Sequence, residues 1–224
     1  MTTQSRMFPR LGGLGIVFAA LFVATFVLTG NEPGTGASGA TVVKYYHEHH
    51  SGETAAVFVV AAAVLAFAFF IASLRRRLAE HADGRDLAPV VTIGAAVLMG
   101  GLLLMGALTI ALVDAAHYQM TGAAQTLNVL SSDVWVPVVV GLSLGALGTG
   151  VSALRSAALP GWLSWASIGL GVLAVAGPLG AVAFLITPLW ALATGIVLIR
   201  SSGTGPRSEL AAGGATAHAP SLAP

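Results

Sequence analysis

No cysteine occurs in the chain, which excludes disulfides, thiolate metal sites, haem attached through cysteine and cysteine nucleophiles together. Charge is nearly as scarce. Asp, Glu, Lys and Arg make up 8% of the 224 residues, a third of the roughly 25% usual in soluble domains. Lys44 is the sole lysine, and no basic run is of a kind that would suggest nucleic acid. What fills it instead is apolar: 56% hydrophobic residues and 28 glycines, with a mean hydropathy of +0.86. Lipid is the solvent that suits such a composition, and the class expected is all-α integral membrane.

Crossing about 30 Å of hydrocarbon takes roughly 20 apolar residues in a helix, the conformation that satisfies its own backbone. Six stretches approach that length: 12–28, 54–74, 88–113, 134–154, 162–176 and 180–199. The fifth is short, and Gly177-Pro178-Leu179-Gly180 joins it to the sixth as a tight hairpin. Arg6 and Arg10 before the first run resemble a signal peptide. The small residues Ala37 to Ala40 lie too far past its end for cleavage geometry, so the helix is read as retained. Residues 1–200 are therefore expected to form one six-helix bundle. Residues 201–224, rich in Gly, Ala, Ser, Thr and Pro, are expected to be a disordered cytoplasmic tail.

Positive loops stay cytoplasmic. Arg6, Arg10, Arg75, Arg76, Arg77, Arg85, Arg155, Arg200 and Arg207 all fall on one side of this topology, and only Lys44 on the other. The expectation is a multi-pass protein of the cytoplasmic membrane with both termini inside. Trp162 and Trp165 would anchor one interface and Trp135 the other.

Inside the six spans no Asp, Glu, Lys, Arg or His occurs. Such residues at membrane depth mark ion pathways, proton relays and cofactor counter-ions. Their absence argues against a proton-coupled transporter, against haem held between histidines and against retinal on a buried lysine, so no cofactor is expected. Small residues do recur at helical spacing. Gly141, Gly145 and Thr149 line one stripe, with Gly148 and Ser152 beside it, while Ala96, Gly100, Gly101 and Gly106 lie in the preceding span. Such stripes let helices approach closely. They read first as packing between these two spans, and second as a seam for a homo-oligomer or membrane partner. Thr187-Pro188 would break the sixth span, as transporters break helices to hold substrate.

Outside, SGATVVKYYHEHH (residues 38–50) suits a short amphipathic helix, with Ser38 as N-cap and Gly52 just past the end. At about 100° per residue, Val42, Val43 and Tyr46 form an apolar face and Lys44 and Glu48 an exposed pair. His47 and His50 could share one ion; His49 points roughly 160° away from His47. Asp114 and His117 repeat the i, i+3 spacing at the outer end of the third span. His47, His50, Asp114 and His117 would make a shell of N and O ligands for Zn²⁺ or Cu²⁺, with His49, Glu53 and Asp133 in reserve. HEHH lacks the HExxH spacing of a zinc protease helix. Ser131-Ser132-Asp133 comes without a nucleophile elbow, and the glycines of 30–39 lack the lysine of a phosphate loop. A second outer helix is expected between Thr121 and Val129.

ASGATVVKYYHEHH, the triple arginine 75–77 and RSAALPGWLSWASIGLGVLA together resemble a family of uncharacterised multi-pass membrane proteins common in high-GC actinobacteria, a domain-of-unknown-function class. The resemblance covers most of residues 8–200. It implies a six-helix plasma-membrane protein and supplies no activity or site. It also implies that the extra histidines of HEHH are local to this chain, because that family's pattern has an ordinary polar residue after Tyr-Tyr. The function expected is non-enzymatic, in partner binding or envelope stress. The alternatives are a small-molecule transporter or ligand binder, and an extracytoplasmic metal-binding protein.

Overall fold

The computed structural model describes residues 8–80 and 82–202, and among these the chain is helical with no strand. Arg6, Arg207 and the tail from residue 203 lie outside them. A 3-10 turn, Phe8–Gly13, leads into α1 (Leu14–Leu28). Then come α2 (Gly39–Glu48), α3 (His50–Ala79), α4 (Ala82–Arg85), α5 (Ala88–His117), α6 (Thr121–Asp133), α7 (Trp135–Ser156), α8 (Gly161–Ala174) and α9 (Leu179–Ser202). The helices α1, α3, α5, α7, α8 and α9 form a closed ring in chain order, each packed on the next and α9 packed back on α1. Short connections between antiparallel neighbours produce this order without any crossing.

Five of the helices are long and apolar enough to cross a membrane, and α8 is shorter. Its 14 residues rise only about 21 Å, so the fifth expected span, short by its sequence, is the short one beside five full ones. The chain nevertheless traverses the bundle there. Gly150 and Gly171 seat α8 against α7, at Ser164 and at Leu147, and Gly180 at the start of α9 lies beside Val139 near the opposite end of α7. Among the described residues Arg75, Arg76, Arg77, Arg85, Arg155 and Arg200 all lie at one end of the ring. Lys44 belongs to the other end, which is called outer below.

Lipid supplies no hydrophobic drive between helices, so close packing must hold them. A Cβ on Gly94 would collide with the backbone of Gly145, and one on Gly141 with the backbone of Leu98. Gly141 and Gly145 of the stripe with Thr149 thus pack against α5 within the chain, and Thr149 is wholly buried. Gly100 and Ala96, grouped with it from the sequence, lie instead on the exposed side of α5. On the far side of the ring Gly15 meets Ala191 O and the Phe70 ring, each at 2.8 Å from its would-be Cβ.

The middle of the ring is filled. A residual void of about 10 Å³ lies among Phe67, Ile71, Leu98, Leu142, Ala146 and Trp190, the size of at most one water. The Trp190 indole donates to Ser167 Oγ at 2.8 Å, and Thr187 Oγ1 donates to Ala183 O at 2.9 Å beside Pro188. The helix α9 runs through its proline without a break. Trp162 and Trp165 are exposed as interfacial anchors should be, but Trp135 turns inward and packs edge-on against Phe184 at 4.9 Å.

The outer end is capped by α2 and α6. Val42, Val43 and Tyr46 bury against Leu112, Val113, Ala116 and Ala124, while Lys44 and Glu48 stay exposed, as the periodicity predicts. Ser38 Oγ accepts from Thr41 N at 3.3 Å, satisfying one of the orphan donors of the first turn. Ser38→Ala should cost about 1 kcal/mol, read as faster hydrogen exchange in the first turn of α2. Unchanged exchange there would remove the cap from this account.

Candidate functional site

The helix expected over residues 38–50 ends two residues early. At His49 (φ −106°, ψ 13°) the chain turns, and His50 opens α3. Gly52, expected just beyond the end of the first helix, falls in the first turn of the second, where a Cβ would lie 2.9 Å from Leu28 O. A bare backbone is needed for α3 to pass the end of α1.

The turn changes which residues meet. Residues eight apart on one helix would be separated by about 12 Å of rise. Across the break, Tyr45 Oη donates to Glu53 Oε1 at 2.8 Å. The same phenol oxygen accepts from Gly30 N at 3.1 Å, so one side chain ties α2, α3 and the loop after α1. His49 stacks on the Tyr45 ring, with centroids 4.4 Å apart and planes at 18°. Its Nδ1 lies 2.9 Å from Tyr45 O, and because a carbonyl only accepts, that nitrogen carries the proton. Asn128 Nδ2 donates to Gly34 O at 3.1 Å and pins the same loop from α6.

Beneath this clasp lies a pocket of about 150 Å³ between α1, α3, α5 and α9, lined by Phe22, Phe26, Val57, Met105, Phe184 and other apolar groups together with Glu32 and Glu53. Glu53 is 1% exposed and lines this pocket. It sits in the first turn of a 30-residue helix, where the helix dipole favours negative charge. Glu32, on the loop, is exposed and lines the pocket. Partial burial, and then the neighbouring Glu53 charge, push its carboxyl above the usual range. Burial, reinforced by the bond to Glu53, raises Tyr45 well above an ordinary phenol and keeps it a donor. Burial raises Tyr46 in the same way. The hydroxyls of Thr25, Thr29 and Thr109 donate to carbonyls in their own helices, Leu21 O, Thr25 O and Met105 O.

The proposed metal shell is not assembled. His47, His50, Asp114 and His117 are all exposed, and no three His, Asp or Glu side chains among the described residues come together where they could hold an ion. The physical reason is the turn at His49: His47 and His50 belong to different helices, so their i, i+3 relation is lost. His47 lines an open groove with Lys44, Glu48 and Gln119, while the His117 ring packs edge-on against Tyr118 at 5.0 Å. Of the reserves, His49 is committed to Tyr45, Asp133 is exposed at the end of α6, and Glu53 enters the pocket. Glu32 was missed altogether. Its signal was faint: an acid in a glycine-rich loop just beyond an apolar run, mirrored by Glu53 just ahead of the next.

No protein-family model, curated protein or solved structure matches the chain.

Proposed function

We propose that this chain is a multi-pass protein of the cytoplasmic membrane, with both termini inside, that binds a small ligand in the pocket at its outer end without chemically transforming it. The observation that carries this reading is the pocket itself. The bundle is close-packed through its centre yet keeps about 150 Å³ open at one end, walled by apolar and aromatic groups and closed by two carboxylates. A few convergent polar groups in an apolar concavity is the usual form of a small-molecule site. Binding fits it better than catalysis, because its threonine hydroxyls are spent on helix carbonyls, which leaves none of them paired with a base among the described lining residues as covalent catalysis needs. The arginines gathered at the opposite end support a cytoplasmic placement for that end. The resemblance to the actinobacterial family points to the same membrane.

Thr109→Phe tests this reading. The side chain lines the pocket, and removing its hydroxyl orphans nothing, since it bonds only within α5. A ligand at one hundred times its Kd stabilises the folded state by about 2.7 kcal/mol. The melting temperature of the detergent-purified protein, measured across small cationic, neutral and anionic organic molecules, should rise with at least one of them, and Thr109→Phe should erase that rise. A panel in which wild type and Thr109→Phe respond identically would sink the proposal.

A further inference from the structure

The pocket's charge is one-sided. Glu32 and Glu53 line it, and no Lys, Arg or His appears among its described lining residues. Lys44 faces solvent on the far side of α2, and His49 is held against Tyr45 by stacking and by its Nδ1. Burying a carboxylate is costly unless it is paired or fully hydrogen-bonded. Glu53 accepts a hydrogen bond from Tyr45 and lines the cavity, where no cationic side chain stands among the described lining residues. The remaining walls are aromatic and aliphatic, with Phe22, Phe26 and Phe184 around the space. Phe22 meets Phe26 at 5.4 Å and Phe184 at 4.9 Å, both edge-on.

Acidic groups beside aromatic rings select among cations. A hard metal ion requires six or more oxygen ligands, and the pocket would waste its apolar wall on such an ion. An alkylammonium is attracted both to carboxylates and to ring faces. Size narrows the choice further, since an apolar cavity of about 150 Å³ is known to take a molecule as large as benzene. We infer that the pocket binds a small organic ammonium ion, choline-sized or smaller, with its charge between Glu32 and Glu53 and its alkyl groups against Phe22, Phe26 and Phe184. This deepens the preceding section's reading of the pocket as a ligand site and rests on it.

The two acids divide the work. Tyr45 fixes Glu53, which supplies a buried, preset charge. Glu32 sits at the mouth and can exchange its counter-ion with water. A proton on Glu32 occupies the role of the cation, so the two compete. Because Glu32 titrates above 4.5 in the folded protein, ammonium affinity should climb as pH rises from there and level off once Glu32 is fully ionised. The groups facing Glu32 are Glu53 from α3 and Tyr45 and Tyr46 from α2, with His49 beside Gly30. From α5 and α9 the pocket receives only uncharged residues, among them Thr109 and Phe184.

The full chain in phosphatidylglycerol nanodiscs, titrated calorimetrically with tetramethylammonium and choline, tests this. The comparison ligands are 3,3-dimethylbutanol, the neutral isostere of choline, and the 3,3-dimethylbutyrate anion. The cations should bind at least about tenfold more tightly than either. Glu53→Gln should weaken them about tenfold or more. Glu32→Gln, at an exposed loop position where folding is not at stake, should flatten the pH dependence. Repeating the titration in phosphatidylcholine nanodiscs separates the sources: apparent affinity falls if lipid headgroups already fill the pocket and holds if the ligand is a free ion, and ammonium binding in phosphatidylglycerol supports the inference either way. Equal binding of alcohol and cation, or preference for the anion, overturns the ammonium assignment while leaving the pocket a ligand site. Absence of binding by all four molecules overturns the assignment, and if Thr109→Phe also leaves the full ligand panel unchanged, the ligand site falls with it.

Discussion

Gly141→Val should yield no folded protein: the monodisperse peak seen for wild type in detergent should be lost, and any recovered fraction should melt far lower. The new Cβ would fall on the backbone of Leu98, with Leu98 Cα at 2.7 Å and Gly94 O at 2.8 Å. None of these is the far end of a flexible side chain. The helices α5 and α7 would have to separate along the seam, which also holds Gly101 against Val138 and Gly148 against Val91. Overpacking a single core site costs about 1–3 kcal/mol and occasionally more. Here one residue unseats several contacts, so at least about 3 kcal/mol is expected. Gly100→Val is the control, because Gly100 faces open space with nothing within 4 Å and should cost only a loss of helix propensity in reverse, near zero. A Gly141→Val protein that elutes and melts as wild type would show that α5 and α7 do not meet in this way.

Phe70→Ala has the second-largest expected effect, a loss of about 3 kcal/mol, within the range for emptying a buried aromatic site. Phe70 is fully buried, lies edge-on to Trp190 at 6.1 Å, packs against Phe67 at 5.9 Å, and meets Gly15 of α1. It therefore joins α1, α3 and α9 where the ring closes. In lipid the transfer part of the usual penalty shrinks, because the unfolded-in-membrane helix already sits in hydrocarbon. The dispersion contacts forfeited to the cavity remain. Phe70→Leu keeps most of the volume and should cost less than about 1.5 kcal/mol. Controlled unfolding in mixed micelles would measure both, and a Phe70→Ala protein no less stable than Phe70→Leu would contradict the packing described.

The membrane architecture was readable from residues alone because it depends on sums. Twenty apolar residues in a row can satisfy their backbone in lipid in essentially one way, and the helices α1, α3, α5, α7, α8 and α9 match the spans read from the sequence to within a few residues at each end, α3 running furthest past its span. Counting at about 100° per residue also placed Val42, Val43 and Tyr46 on the buried face of α2 and Ser38 at its cap, since these depend on neighbours within one turn. The fifth span was marginal by length from the start, and α8 is correspondingly short.

The site was a different matter. Counting along a single helix put His47 and His50 together and left Glu53 in reserve. The turn at His49 reversed this, separating the histidines and folding Tyr45 onto Glu53. That turn is not dictated by its own residues, none of which is a strong breaker. It follows from where α1 ends, since Gly52 must slide past Leu28 O and the Gly30 amide must reach the Tyr45 phenol. The sequence by itself determined that the chain is a helical membrane protein, that its arginines are gathered at one end, and that its middle is uncharged, because each of these properties adds up residue by residue along the chain. Only the tertiary structure decided that Glu32 and Glu53 share one pocket with Tyr45 bonded to Glu53, because their meeting depends on how α1, α2 and α3 pack, and no residue's neighbours in sequence record that.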